Sequence, residues 1–315
     1  MLDIPQTYSK GKLPHESYFT HNPDVMFHTE LQPVFKATGF DEHSQTTQYD
    51  RASDWVTPVR TDTGESFGMF KEGKYTLVQN HYFFKGVEYE LLNYFSHNDL
   101  ENMKIKDHVS YGGAEVCREY IFKTQSFTVE TDIHSTDVVF RVIAMNCFNG
   151  SKTVKIIVGN IDMFCTNGLI LGEYSMESAR RTSGFDLSNF IAKTDKALGR
   201  HIEQGKTFNQ YARTKVLIKD VTEFFERLGG ASDRLQKQLE EQFMEEASIR
   251  GMNMWSVIST LSNYSSHTDG RFSTRNTGSD HSSSTLLTRQ NQVAKWLSSD
   301  AFSDLTTRSF AYDPV

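Results

Sequence analysis

The stretch Val138 to Leu171, VVFRVIAMNCFNGSKTVKIIVGNIDMFCTNGLIL, constrains this chain more than any other. Two apolar, β-branched runs each end in the form Cys-x-Asn-Gly, at Cys147 to Gly150 and again at Cys165 to Gly168. Asn-Gly after such a run is a strong turn signal, because both residues tolerate positive φ. The pattern predicts a β-meander, followed by a basic helical segment.

The rest of the chain is read outward from that meander. Short strands are expected over Ser53 to Val78, with a turn at TDTGE, and a helix over Gln79 to Phe95 in which Phe84, Val87, Leu91 and Tyr94 recur at helical spacing and Asn80 is the N-cap. Two more strands flank Gly112-Gly113 within Ile105 to Val129. From Phe185 the period changes: Leu187, Phe190, Ile191, Leu198 and Ile202 share one helical arc, and Lys193, Lys196 and Arg200 share the opposite one. That helix is expected to break near Gly205, and Gly229-Gly230 is a stop. Helices are expected from Ser232, over Met252 to Tyr264, and last over Leu286 to Ser299. Strands therefore precede helices, which is the order of an α+β fold with a β-rich N-terminal half and a mainly helical C-terminal half. The organisation read from this is an extended arm over residues 1–50, free to drape on the body or touch another subunit, a β-rich core over 51–175, and a helical region over 176–315 packed on it, with a polar loop at 265–284.

Composition excludes more than it selects. No run approaches the roughly 18 apolar residues of a membrane helix, and the first residues lack the basic and apolar regions of a secretory signal, so a cytoplasmic protein is expected. Three cysteines without a CxxC pair point to buried thiols in a reducing compartment. The formal charge of −7 hides a dipolar chain. Met176 to Lys219 carries nine Lys or Arg against four Asp or Glu, and Val221 to Glu246 seven acids against three bases.

Four pieces in order carry a family resemblance: TDTGESFGMFKEGKYTLVQNHYFF, the meander end MFCTNGLILGE, the helix end ALGRHIEQG and the late LSNYSSH. Together they resemble the phage and plasmid family of unknown function numbered 932, through Thr63-Gly64, Phe67-Gly68, Tyr75, Gln79-Asn80, Cys165 and Asn167. Asp162 stands where members typically carry Arg. The resemblance implies a host-cell setting among genes for DNA recombination, replication, repair or evasion of restriction.

Three functions are weighed. The first is non-catalytic, sequence-independent DNA binding, with single strands preferred: Lys193, Lys196 and Arg200 form a phosphate-contacting row, and Arg180, Arg181, Lys152 and Lys155 adjoin it. Phe148 and Phe164 are candidates for stacking on bases. The second is a metal-dependent enzyme acting on nucleic acid, using His267, Asp269, Asp280 and His281, or the looser cluster Asp99, Asp107 and His108. The third is an inhibitor of a host defence protein, presenting the acids Glu240, Glu241, Glu245 and Glu246. No Walker A, GxSxG, HExxH or GxGxxG motif is present, and His201 reads as a packed histidine. The expectation is therefore a DNA-binding protein, able to form a homo-oligomer, with no catalytic residue, metal, cofactor or membrane contact assigned.

Overall fold

The meander becomes the centre of the molecule. The computed structural model describes residues 21–162, 167–169, 176–192, 201–266 and 282–312. Strands β1 (Thr29–Asp41), β2 (Thr46–Arg60) and β3 (Phe70–Lys71) form one antiparallel sheet. The second sheet runs in the order β4 (Lys104–Ser110), β5 (Glu115–Glu130), β6 (Ser135–Cys147), β7 (Val154–Asp162), β8 (Asn167–Leu169). Strand β9 (Met176–Ala179) also pairs with β7, so β8 and β9 lie end to end along its outer edge. Helices α1 (Asn80–Leu91), α2 (His97–Glu101) and α3 (Leu187–Ala192) accompany the strands. The C-terminal half contributes α4 (His201–Arg213), α5 (Ile218–Glu226), α6 (Asp233–Arg250), α7 (Met254–Ser266), α8 (Ser282–Leu297) and α9 (Asp300–Tyr312). The fold is α+β, with its strands early and most of its helices late.

Strand periodicity of two gives the second sheet two apolar faces, and both are covered. Tyr120, Phe122, Phe140, Val142, Ile156 and Val158 face α1 and α3, where Phe83, Phe84, Val87, Leu91, Phe190 and Ile191 complete a core. Burying each of these aliphatic and aromatic side chains contributes about 1.5–3 kcal/mol. The alternate residues Cys117, Ile143, Met145 and Ile157 pack on Ala294 of α8. Beyond them Val129 and Val138 join a helical core around Phe208, Phe243, Trp255 and Trp296. Among the described residues no helix is long and apolar enough to cross a membrane.

Several expectations change. Residues 29–41 are not a lone extended segment, because they pair with β2 as a long hairpin. Gln79, not Asn80, is the N-cap residue of α1; its amide exchanges hydrogen bonds with the Thr29 backbone at 3.1 and 2.6 Å instead of capping. The first Asn-Gly turns the chain between β6 and β7, with Gly150 at φ 73°. The second does not: Asn167 and Gly168 sit on β8 opposite Asp162 and Ile161. No break occurs at Gly205. A side chain there would meet the Phe127 ring at 3.1 Å, so this glycine lets α4 approach β5. Helix α9 was not expected. Its Ser/Thr-rich sequence has low helix propensity, but Ala301, Phe302, Leu305 and Ser309 bury one face.

Gly68 gives a direct test of the contact between the first sheet and the β6–β7 turn. It lies at φ +70°, and an added Cβ would come within 3.0 Å of the Asn149 carbonyl oxygen. Gly64 has a similar φ of +74° but open space around it. Gly64→Ala therefore isolates the left-handed strain, about 1–2 kcal/mol. Gly68→Ala adds the backbone clash and is expected to lower the urea midpoint further. Equal losses would show that the clash relaxes without cost.

Candidate nucleic-acid interface

The Asn-Gly turn after β6 places a short polar run, Ser151-Lys152-Thr153, at one end of the sheet, with Lys155 following on β7. Asn149 shapes this run: its Oδ1 accepts from the Ser151 backbone at 2.9 Å and from the Cys147 thiol at 2.8 Å. Ser151 Oγ then donates to Glu115 Oε1 at 2.6 Å, and Lys152 Nζ lies 3.6 Å from Glu115 Oε2. Helix α8 closes the other side. Thr288, Asn291 and Lys295 recur at intervals of three and four residues and share one stripe. Thr288 and Asn291, with Ser151, Lys152, Thr153 and Lys155, line a cavity of about 260 Å³.

The cavity is cationic. Lys155 is half-buried; burial first, then Lys152 and Lys295, lower its pKa below the ordinary lysine value. Glu115 balances Lys152, whereas among the described residues neither Lys155 nor Lys295 has a carboxylate partner. An ammonium desolvated beside two like charges lacks compensation that a bound oxyanion would supply. The Ser151, Thr153 and Thr288 hydroxyls and the Asn291 amide add hydrogen-bonding groups of the kind that hold phosphate oxygens. Arg180 belongs to the same end of the sheet. It follows β9 directly, one residue beyond the Ala179–Val154 pair, and is exposed.

Arg181 does not join this group. It is 7% exposed, donates to Asn146 Oδ1 at 2.9 Å, and lies over the rings of Tyr75 and Phe148 at 5.1 and 5.6 Å. Asn146 in turn donates to Asn80 Oδ1 at 2.8 Å, so Arg181 ties the start of α1 to the end of β6. Burial raises the Tyr75 hydroxyl to about 12, the Arg181 charge opposing it. Two adjacent arginines on extended chain point to opposite sides, and only one can face a phosphate. Phe148 is likewise buried, packed on Phe27 and Phe67, and is not a stacking platform. Lys193, Lys196 and Arg200, with Phe164, lie outside the described residues.

No known protein family, curated protein or solved structure matches the chain. The geometry carries the site's chemistry.

That geometry gives little to the other two readings. Asp99 caps α2 through Ser96, and hydrogen bonds from Ser96 and Thr124 lower its pKa to about 2. Asp107 receives Arg118 at 2.8 Å, and His108 meets Glu119 at 2.7 Å. Each is held by a different structural partner, and among the described residues no group of three His, Cys, Asp or Glu is placed to hold a metal. His267, Asp269, Asp280 and His281 lie outside the described residues. Of the acids on α6, Glu246 is buried and pairs with Arg250 at 3.1 Å, so the run is not one continuous acidic surface. Lys295, Thr288 and Asn291 carry no sequence signal that marks them as part of a site. Their helical stripe was visible, but nothing in the sequence placed it against a turn some 140 residues away.

Proposed function

We propose that this protein binds DNA without sequence preference and without catalysis, holding backbone phosphate in the cavity between the β6–β7 turn and α8. The observation that carries the reading is a cavity lined by Lys152 and Lys155, with Lys295 near enough for its charge to act on Lys155, in which only Lys152 has a carboxylate partner among the described residues. Charge on phosphate contributes affinity for every sequence alike. The exposed Arg180, at the same end of the sheet, would extend the track. Single strands suit this reading because one backbone must enter a confined site. The resemblance to phage and plasmid proteins fits a role in recombination, replication or repair.

Fluorescence anisotropy with a labelled oligonucleotide and its duplex, titrated at several salt concentrations, tests the proposal. Lys155→Gln combined with Lys295→Gln is expected to weaken binding of all sequences by about 10- to 100-fold at low salt. It should also reduce the salt slope by about two. Charge reversal at Lys193, Lys196 and Arg200 should act in the same direction. Affinity and slope unchanged in the double variant would remove the cavity from the interface, and no binding of either strand form by the wild type would remove DNA altogether.

A further inference from the structure

The hairpin of β1 and β2 presents an exposed aromatic face. Beyond Pro33 its burial pattern is almost wholly exposed on both strands. Pairing follows Phe35↔Arg51, Lys36↔Asp50, Ala37↔Tyr49, Gly39↔Gln48, Phe40↔Thr47 and Asp41↔Thr46, with a bulge between Ala37 and Gly39. Read along β2, where the alternation is unbroken, one face carries Phe35, Ala37, Phe40, Thr47, Tyr49 and Arg51. The other carries Lys36, Gly39, Asp41, Thr46, Gln48 and Asp50. The bulge matters: without the extra residue, Phe40 would fall on the polar face. All three large rings are thereby brought to one side. Phe35 is 59% exposed, and Phe40 and Tyr49 are 62% exposed.

A two-stranded ribbon is marginal in water unless its apolar face packs on something. We infer that this face packs on the same face of a second copy of the chain, forming a dimer through paired arms. The hairpin carries Glu30, Asp41, Glu42, Asp50 and Asp54 against Lys36, Arg51 and Arg60, a local −2 that repels a nucleic-acid backbone. Its aromatic face is self-complementary about a twofold axis through Ala37. Such an axis sets Phe35 of one copy over Phe40 of the other and brings the two Tyr49 rings side by side. It also brings Arg51, beside Phe35 and paired with Glu72 of its own copy at 2.9 Å, toward the acidic tip of the opposite arm, Asp41 and Glu42. A twofold contact closes, so it consumes both aromatic faces and leaves none to propagate. The rings alone take roughly 700 Å² out of water across the pair. The side chains between them carry the contact toward the roughly 1,200 Å² of a specific interface.

The test is the mass of the full-length protein by light scattering or sedimentation velocity at tens of micromolar. The wild type should show twice 36.0 kDa. Phe35→Thr, Phe40→Thr and Tyr49→Thr together should give a monomer, with dissociation favoured by more than about 100-fold. A single cysteine supplies a second reading that requires no core change. Ala37→Cys, on the axis, should give one covalent dimer on mild oxidation, whereas Gln48→Cys, on the polar face, should give no more than the wild type. A monomeric wild type, a triple variant that remains dimeric, or equal cross-linking at both positions would overturn the proposal. Loss of DNA affinity in the triple variant of a monomeric wild type would instead assign the face to nucleic acid. Because dimer mass is read without DNA, this result and that for the lysine cavity are independent.

Discussion

Arg250→Met is expected to destabilise the protein by about 3–5 kcal/mol in urea unfolding. Arg250, at the end of α6, reaches Asp162 on β7 at 2.7 Å and Glu246 one turn back at 3.1 Å, and all three side chains are at most 1% exposed. One guanidinium thus serves two carboxylates at the seam between the helical half and the sheet. Removing it leaves both acids in the interior without their cation, and this loss dominates the result. Methionine keeps much of the volume, which separates the charge effect from a cavity. Glu246→Gln is the informative contrast. Burial pushes the Glu246 carboxyl above its ordinary range, and Asp162 adds to this, with Arg250 opposing. A raised folded-state pKa means that the folded protein holds the proton more tightly. The stability it contributes is complete below the unfolded value and is lost as pH rises through the folded one. Glu246→Gln should therefore match the wild type in acid and gain on it toward neutral pH. An Arg250→Met variant as stable as the wild type would show that the triad contributes nothing net to docking the two halves.

The same triad explains what could be read from the sequence and what could not. Asp162 stood out only as a departure from a family pattern; its partner lies 88 residues later on a helix whose acids looked solvent-facing. Periodicity reports which side of an element is apolar, and so it located α1 and the β6–β7 pair well. It does not report which polar residue is drawn inward by a distant partner, as with Arg181, Glu246 and Asp162. The arm was illegible as a strand for a related reason. Strand patterns in sequence are burial patterns, and β1 is exposed along nearly its whole length. For the cavity, Lys152 and Lys155 were visible as cations after a turn. The lysine that completes the group comes from α8, and only packing of Ala294 on Cys117, Met145 and Ile157 puts it there.

Glu119→Gln should likewise destabilise the protein, by about 3–5 kcal/mol at pH 7, with a pH signature opposite to that of Glu246. Glu119 is 2% exposed on β5. It accepts from Arg141 at 2.9 Å and meets His108 at 2.7 Å, with the Lys106 charge close by. Burial alone would push its carboxyl up, but Arg141, His108 and Lys106 more than offset this and hold it well below the ordinary range. Lys106 in turn is lowered by burial and by Arg141, and Glu119 supports its charge. Replacing the carboxylate by an amide removes the charge that Arg141 pairs with in the interior and that supports the Lys106 ammonium. Here the folded-state pKa lies below the unfolded value, so on acidification the unfolded chain takes up the proton first. The contribution is whole above about pH 4.3, the unfolded value for glutamate, and drains away as pH falls toward the folded one. Paired urea titrations of wild type and variant should therefore show a constant gap from pH 7 down to about pH 5, narrowing below it. Taking the difference cancels the titration of every other carboxylate. A gap that persists unchanged in acid would mean that the amide fails on shape rather than charge. No gap at pH 7 would mean that Arg141 and Lys106 find water or another partner, and that Glu119 does not hold the buried charge on β5 and β6.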